Sequence, residues 1–434
     1  MPSLNIDKLA FGGAGFGRLD GKACFVPFTA PGDTVEVRIE REKKSYLEGV
    51  AEEIISAADC RIAPACQLFG VCGGCDWQHI DYNVQCDQKE VIFAETMWRI
   101  ARIGKEHILP LLRELNPFAY RQRIQLKIHS SNGRLHVGFY RPGSHYVVDI
   151  QNGCPIARPE INLSIAEIRR VVSAAPEPDR IPQVDLSSGE DGTVSALFHY
   201  IGSEPEVMHA YLASLQGGVE HLSAIFLQRG RKDSIKTVFG PEMMEYTLAG
   251  RDGREFTMCY TADSFSQVNF RQNRRILDVV LSWSAQKSIN SVLDLYCGNG
   301  NFSIPLSVDV KSVVGMESYG KSIELARHNA SINSVSNVEF FCMDSAAGVD
   351  SLAAEGSRFD LILLDPPRSG AAEVVGKVAR LQPSFLAYIS CDPPTLARDL
   401  ASLQKSGFRV ETVLPVDMFP QTYHLESVAF LQAI

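Results

Sequence analysis

No stretch of the 434-residue sequence stays apolar for the roughly 18 to 20 residues that a membrane helix needs, so a helical span is excluded. The opening residues, MPSLNIDKLA, lack the basic start and apolar stretch of a secretion signal. An excess of positive charge is missing too. Lys and Arg number 42 against 51 Asp and Glu, and the net charge of -9 excludes a globally basic nucleic-acid coat. It leaves room for a local basic face, because steering depends on where charge sits. Neither repeats nor low-complexity segments occur, and 45% hydrophobic with 21% charged residues excludes a largely disordered chain. The length implies two or three domains. Cysteine, by contrast, is plentiful. Eleven thiols in an acidic chain without a signal are expected in the cytoplasm, where tight cysteine spacing reads as a metal or catalytic site rather than as disulfides.

Residues 1–58 alternate β-formers with Gly, Pro and Asp, as in FGGAGFGRLDGKACFVPF, and predict a small β-barrel. Residues 59–262 predict a central α+β domain. It opens on a cysteine-dense loop and a helix near 81–103 with Val84, Val91, Ile92, Met97 and Ile100 at helical spacing. It continues with strands around a Ser-Asn-Gly turn at 131–133. Over 120–148 the chain carries Arg121, Arg123, Lys127, Arg134 and Arg141 and no acid. Several of these lie two apart and share one face of a strand. That face is either a solvated sheet surface or an RNA-phosphate contact with Tyr140 and Tyr146 available for stacking. From 263 to 434 short apolar runs alternate with helical segments, which predicts a doubly wound, mostly parallel sheet.

The sequence VLDLYCGNGNFS, 292–303, sets a glycine turn after the first of these strands, where Gly298, Gly300 and Asn301 can approach a ligand. Glu317 ends the next strand, placed to accept hydrogen bonds from ribose hydroxyls, and Asp344 ends the third. The loop has neither the third glycine of a dinucleotide fingerprint nor the Lys-Ser/Thr of a phosphate loop. Adenosine without a pyrophosphate fits better, which points to S-adenosylmethionine. Asp365-Pro366-Pro367 follows the fourth strand and holds a carboxylate at the rim, suited to the edge of a base. Cys391 ends the fifth strand in YISCDPPTLARD, and Glu426 follows a Pro-containing loop. A nucleophilic thiol, a base and a base-edge group are together what methylation of uracil at carbon 5 requires.

The motifs SFSQVNFRQN (264–273), DLYCGNGNFS (294–303), LDPPRSG (364–370), YISCDPPTLARD (388–399) and MFPQTYHLES (418–427) follow one another along the chain. On them it resembles the RNA uracil-5-methyltransferases, most of all the 23S rRNA branch with a TRAM barrel and a 4Fe-4S iron–sulfur cluster. The resemblance implies a Rossmann-like class I catalytic domain with Cys391 as nucleophile and Glu426 as the base that takes the carbon-5 proton. It implies that Gln267, Tyr296, Glu317, Asp344 and Asp365 shape the cofactor and uracil sites. It also implies that the 81–115 region packs on the catalytic domain. Family members often carry Phe where Tyr296 stands and Asn where Asp392 stands, and neither change is expected to abolish activity.

Cys66-x5-Cys72-x2-Cys75, with Cys154 79 residues on, could hold zinc or an iron–sulfur cluster by spacing. The resemblance selects the cluster on these four cysteines. Cys60 repeats the x5 spacing as a rival ligand and is read as a spare. Three alternatives stay open at this point: a tRNA rather than rRNA target, an amino-group or cytosine-5 methyltransferase, and a non-catalytic RNA-assembly factor. A monomer is expected, with RNA covering the basic face.

Overall fold

Alternate residues of the N-terminal strands point inward, and Leu4, Ile6, Cys24, Val26, Val35 and Val37 form their buried core. A computed structural model, which describes residues 1–131, 134–230 and 234–434, arranges them as one six-stranded sheet. In spatial order its strands are Ser3–Asn5, Thr34–Glu42, Tyr46–Ser56, Lys22–Val26, Gly15–Leu19 and Lys8–Leu9. The sheet curls until Gly17 lies against the Asn5 carbonyl, so close that any β-carbon there would sit 2.1 Å from the oxygen.

The helix Tyr82–Ala101 is capped by Asp81, whose side chain accepts from the Asn83 amide, and ends at Arg102 in the left-handed region. Its buried face (Cys86, Phe93, Met97) joins the core of the C-terminal sheet, against Leu396 and Leu400 of the helix Pro393–Lys405. Val91 and Ile100, which share its helical spacing, remain exposed. The following segment hydrogen-bonds the last-but-one strand, Leu109 N to Val413 O and Leu112 N to Pro415 O, both at 2.9 Å.

The central body is a seven-stranded sheet in the order Ile235–Phe239, Ala224–Arg229, Val194–Tyr200, Gln183–Ser188, Arg123–Ser131, Arg134–Tyr140 and Val147–Asp149. All its pairs are antiparallel except that between Val194–Tyr200 and Ala224–Arg229. The helix Pro159–Ser173 covers its apolar face through Ile161, Ile165 and Ile168. The centre of the predicted Ser-Asn-Gly turn, 132–133, lies outside the described residues.

The C-terminal sheet runs Val338–Cys342, Ser312–Glu317, Ser291–Leu295, Leu361–Leu364, Phe385–Ser390, Glu426–Ala433 and Phe408–Val416. The first five strands are parallel and the last two antiparallel to their neighbours. The order reverses between Ser291–Leu295 and Leu361–Leu364, and a ligand crevice is expected at the carboxyl ends there. The hairpin Met243–Ala249/Glu255–Thr261, on the central side of a boundary at 263, shares its core with this sheet rather than with the central one. Tyr246 stacks on Phe270 of the helix Phe270–Ser284 at 4.8 Å. Among the described residues no helix is long and apolar enough to cross a membrane.

Candidate active site

The strand Ser291–Leu295 ends in a turn that only small or tolerant residues can make. Tyr296, Gly298 and Gly300 take φ values of 65°, 54° and 87°. A β-carbon on Gly300 would come 2.9 Å from Ile304 Cδ1, whereas one on Gly298 would meet nothing within 4 Å. Gly300 thus closes the turn onto its helix, and Gly298 leaves open space at the sheet's rim. Asn301 is tied into the fold by its side chain. Its side-chain amide is exchanged with that of Asn273, at 2.8 and 3.1 Å, and its oxygen also accepts from the Tyr246 hydroxyl at 3.2 Å. It ties the turn to the Phe270–Ser284 helix and the hairpin.

Glu317 stands at the end of the second strand. Its Oε1 accepts from the Tyr319 amide at 2.9 Å and from Ser318 Oγ at 3.1 Å, while Oε2 has no hydrogen bond among the described residues. Asp344 caps the helix Ser345–Ala354, Oδ1 accepting from the amides of Ala346 and Ala347. The cap leaves one oxygen of each acid for a ligand. Burial, then the nearby Asp344 charge, pushes the Tyr296 hydroxyl up to about 12, so the ring and this acid share the crevice. Gln267 is half-buried, and its backbone carbonyl accepts from Gln122 Nε2.

Cys391, Glu426 and Asp365 converge. Cys391 follows the strand Phe385–Ser390 and Glu426 opens the antiparallel strand beside it, while Asp365 follows Leu361–Leu364 with its amide on the Leu295 carbonyl at 3.3 Å. Burial raises the Cys391 thiol to about 12, helped by the charges of Glu426 and Asp365 and opposed by Arg368. Burial raises Asp365 to about 7, and it raises Glu426 well above the carboxylate range, with Asp365 adding to the effect. Burial and mutual repulsion in a dry rim thus favour the protonated form of all three groups, with Asp365 titrating near neutral pH. Such perturbation around one thiol marks a functional site. Asp392 caps the helix Pro393–Lys405 through Thr395 N at 3.0 Å, a role Asn fills equally well.

Cys391 opens onto a cleft between the central and C-terminal bodies, lined also by Arg121, Tyr140, Arg368, Tyr423 and His424. Burial and the Arg368 charge lower His424 to about 4, so its ring is neutral. Of the five predicted basic residues, Arg121, Arg123 and Lys127 line one cavity. Arg121 lines the cleft, Lys127 lies over the Tyr140 ring at 5.4 Å, and Arg141 lies over Tyr146 at 5.1 Å. Arg134 is exposed on the neighbouring strand. Arg123 is turned inward, donating to the carbonyls of Ser264 and Ala262 at 2.8 and 2.9 Å, and so latches the two bodies together.

Cys66, Cys72, Cys75 and Cys154 line one cavity, together with Arg121 and Lys127. Buried Gln78 bridges two of them, accepting from Cys66 N at 3.0 Å and donating to Cys75 Sγ at 3.2 Å. Cys60 is absent from this cavity; it packs beside Leu9, Ala30 and Trp77 and points at the Pro31 carbonyl. Among the described residues no three Cys, His, Asp or Glu side chains stand close enough to hold a metal ion.

Residues that the motifs do not single out also build the site. Tyr82, Gln85, Lys89 and Asp417 lie under the loop before Glu426. The available signal was a polar stripe, Gln85 and Lys89, running at four-residue spacing into buried Phe93.

A family model described as tRNA (uracil-5-)-methyltransferase matches residues 82–434, and one for the TRAM domain matches 4–51. The chain is 31% identical to the 23S rRNA (uracil(1939)-C(5))-methyltransferase RlmD of Vibrio parahaemolyticus, over 99% of this chain and 95% of that protein. It is 34% identical to the protein of that name from Alkalilimnicola ehrlichii, over 99% and 96%. Among solved structures it resembles the Pyrococcus abyssi tRNA (uracil-54, C5)-methyltransferase in complex with S-adenosyl-L-homocysteine. The TM-score there is 0.75 at 26% identity, covering 99% of this chain and all of that one. The chain is a TRAM-bearing member of the S-adenosylmethionine-dependent RNA (uracil-5-)-methyltransferase family.

Proposed function

We propose that this protein methylates carbon 5 of one uridine in 23S rRNA, with Cys391 as nucleophile and Glu426 as base. The observation that carries the residue roles is the convergence of Cys391, Glu426 and Asp365 at the rim beside the glycine turn. The full-length relatives named as 23S rRNA enzymes support the target. In the reaction the Cys391 thiolate bonds to uracil carbon 6, and the enolate electron pair takes the sulfonium methyl, releasing S-adenosylhomocysteine. Glu426, as carboxylate, then removes the carbon-5 proton. The electron pair left behind restores the 5,6 double bond and expels the thiolate. Asp365 holds the edge of the uracil. Tyr296, Glu317 and Asp344 hold the methyl donor, with Gly298 making room for it and Gln267 near the transferred group. The place of work is the cytoplasm, as a monomer on RNA.

The same reading seats a 4Fe-4S cluster on Cys66, Cys72, Cys75 and Cys154. Its support is a donor set of four thiols on one cavity with three cations, Arg121, Arg123 and Lys127, beside them. By spacing these four thiols suit a single zinc or a cluster alike, and the family resemblance selects the cluster. When bound it supplies a cross-link between the 66–75 loop and Cys154, since methyl transfer consumes no electrons. Arg121, Lys127 and the exposed Arg134 and Arg141 are the main RNA contacts, while Arg123 also bonds the Ser264 and Ala262 carbonyls.

The test is methyl transfer from labelled S-adenosylmethionine to unmodified 23S rRNA and, separately, to unmodified tRNA, using anaerobically purified protein and its Cys391→Ala variant. 5-Methyluridine in rRNA that vanishes in the variant supports both residue and target. Label in tRNA alone overturns the target. Label retained by the variant overturns the nucleophile.

A further inference from the structure

We infer that Lys89, a residue outside the catalytic sheet, is a positioning residue for the proton-removal step, because it holds both ends of the loop that delivers Glu426. The inference rests on the reading of Glu426 as the base. Lys89 lies on the helix Tyr82–Ala101 and is fully buried. Its Nζ pairs with Asp417 Oδ1 at 2.6 Å and donates to the carbonyls of Phe419 at 3.1 Å and His424 at 3.0 Å. All three protons of the ammonium are therefore used, and all on one eight-residue stretch, 417–424, that ends two residues before Glu426.

A buried ion pair is a poor device for stability, since desolvation offsets most of its attraction. What it gives here is direction. The amine pins the start of the loop by Asp417 and its end by the His424 carbonyl, so the chain enters the Glu426 strand from one fixed point. The middle of the loop is held by the same side of the molecule. Gln85 Nε2 donates to Gln421 Oε1 at 3.0 Å, and the Asp76 and Trp77 amides donate to the Gln421 carbonyl at 2.9 and 3.1 Å. Gln421 itself has φ 69°, a left-handed turn in a non-glycine residue that surrounding contacts must maintain. Tyr82 takes the other Asp417 oxygen at 2.7 Å. The base is thereby referenced to a helix that the chain lays down more than 300 residues earlier.

The experiment uses full-length holoenzyme and RNA carrying tritium at uracil carbon 5. Four variants are compared: Glu426→Gln, Lys89→Met, Lys89→Arg and the double variant Lys89→Met with Asp417→Asn, which leaves no unpaired buried charge. S-adenosylhomocysteine affinity, denaturation-stable protein–RNA adduct and tritium release are read for each. Glu426→Gln accumulates methylated adduct with its tritium retained. The double variant binds S-adenosylhomocysteine as the parent does, still forms adduct, and releases tritium about 100-fold more slowly, the scale of a misplacement of roughly 1 Å. Lys89→Arg recovers part of the loss. Tritium release at the parental rate in the double variant overturns the inference, as does adduct formation slowed as much as release. Failure of Glu426→Gln to accumulate adduct overturns instead the role of the base.

Discussion

Ser390 and Ser427 face each other across antiparallel strands, and Ser427 Oγ donates to the Ser390 carbonyl at 3.1 Å. Cys391 follows Ser390 directly, and Glu426 precedes Ser427 on the partner strand. The proposed nucleophile and base thus sit at the ends of neighbouring, hydrogen-bonded strands. They lie 35 positions apart in sequence. A one-residue slip would turn Glu426 to the other face of the sheet.

Removal of either member should stop the reaction at a different point. Cys391→Ala should bind S-adenosylhomocysteine normally and form neither product nor adduct. Glu426→Gln should form adduct and release product about 10²- to 10⁴-fold more slowly, the usual worth of a positioned base. Gel shift under denaturing conditions distinguishes the two. An adduct in Cys391→Ala would refute the assignment.

The thiol's protonation gives a second expectation. Burial and two carboxyl groups hold Cys391 up to about 12, and Arg368 is the cation that opposes them. Arg368→Met therefore raises the thiol further and leaves less thiolate at any given pH. Because Arg368 is largely exposed, the effect is small: alkylation of Cys391 should fall about two- to fivefold at pH 7.5, the range of an exposed ion pair. The alkylation rate, followed by mass spectrometry of the Cys391 peptide without RNA, should shift along the pH axis and not in its plateau.

Acids kept protonated by burial also make folding depend on pH. Asp365, raised to about 7, retains its proton in the folded chain between roughly pH 4 and 7, where the unfolded chain has lost it. The folded state then binds more protons, so stability falls as pH rises through that window and levels off above it. Asp365→Asn removes this slope. The variant should melt higher than the parent at pH 8 and the gap should close near pH 4. Equal melting curves at pH 8 would show that Asp365 is not held in a dry site.

The residues legible in the sequence were those whose chemistry and local turn coincide. Gly298, Gly300, Glu317, Asp344, Asp365 and Cys391 each follow a short apolar strand, and a parallel sheet gathers all its strand ends at one rim. For Lys89 the sequence showed only its four-residue spacing from Gln85, not its burial. A lysine on a helix reads as solvated, and its burial is decided by a loop more than 300 residues away. For Arg123 the two-residue spacing gave the shared face with Arg121 and Lys127, but not that its guanidinium would also bond the Ser264 and Ala262 carbonyls of the neighbouring body. The hairpin at 243–261 carries period-two alternation, which fits either neighbouring sheet. Tyr246 and Phe256 choose the catalytic one by packing on the Phe270–Ser284 helix.

Asn301 offers a test of how the glycine turn is kept in shape. An amide beside a cofactor loop invites a role in ligand contact, but here both its polar atoms are spent on Asn273, and its oxygen also on Tyr246. If that network sets the turn, cutting it from the far side should be as harmful as cutting it at the loop. Asn273→Ala never touches the crevice, yet it frees Asn301 and leaves a partly buried amide unpaired, at a cost of about 1–3 kcal/mol. S-adenosylhomocysteine affinity should then drop roughly 10-fold in both Asn273→Ala and Asn301→Ala, and the double variant should lose little more than either alone, because both remove the same contact. Calorimetric titration of the three proteins decides. Losses that multiply in the double variant would mean that Asn301 touches the ligand itself, and a parental affinity in Asn273→Ala would mean that the turn holds its shape without the helix.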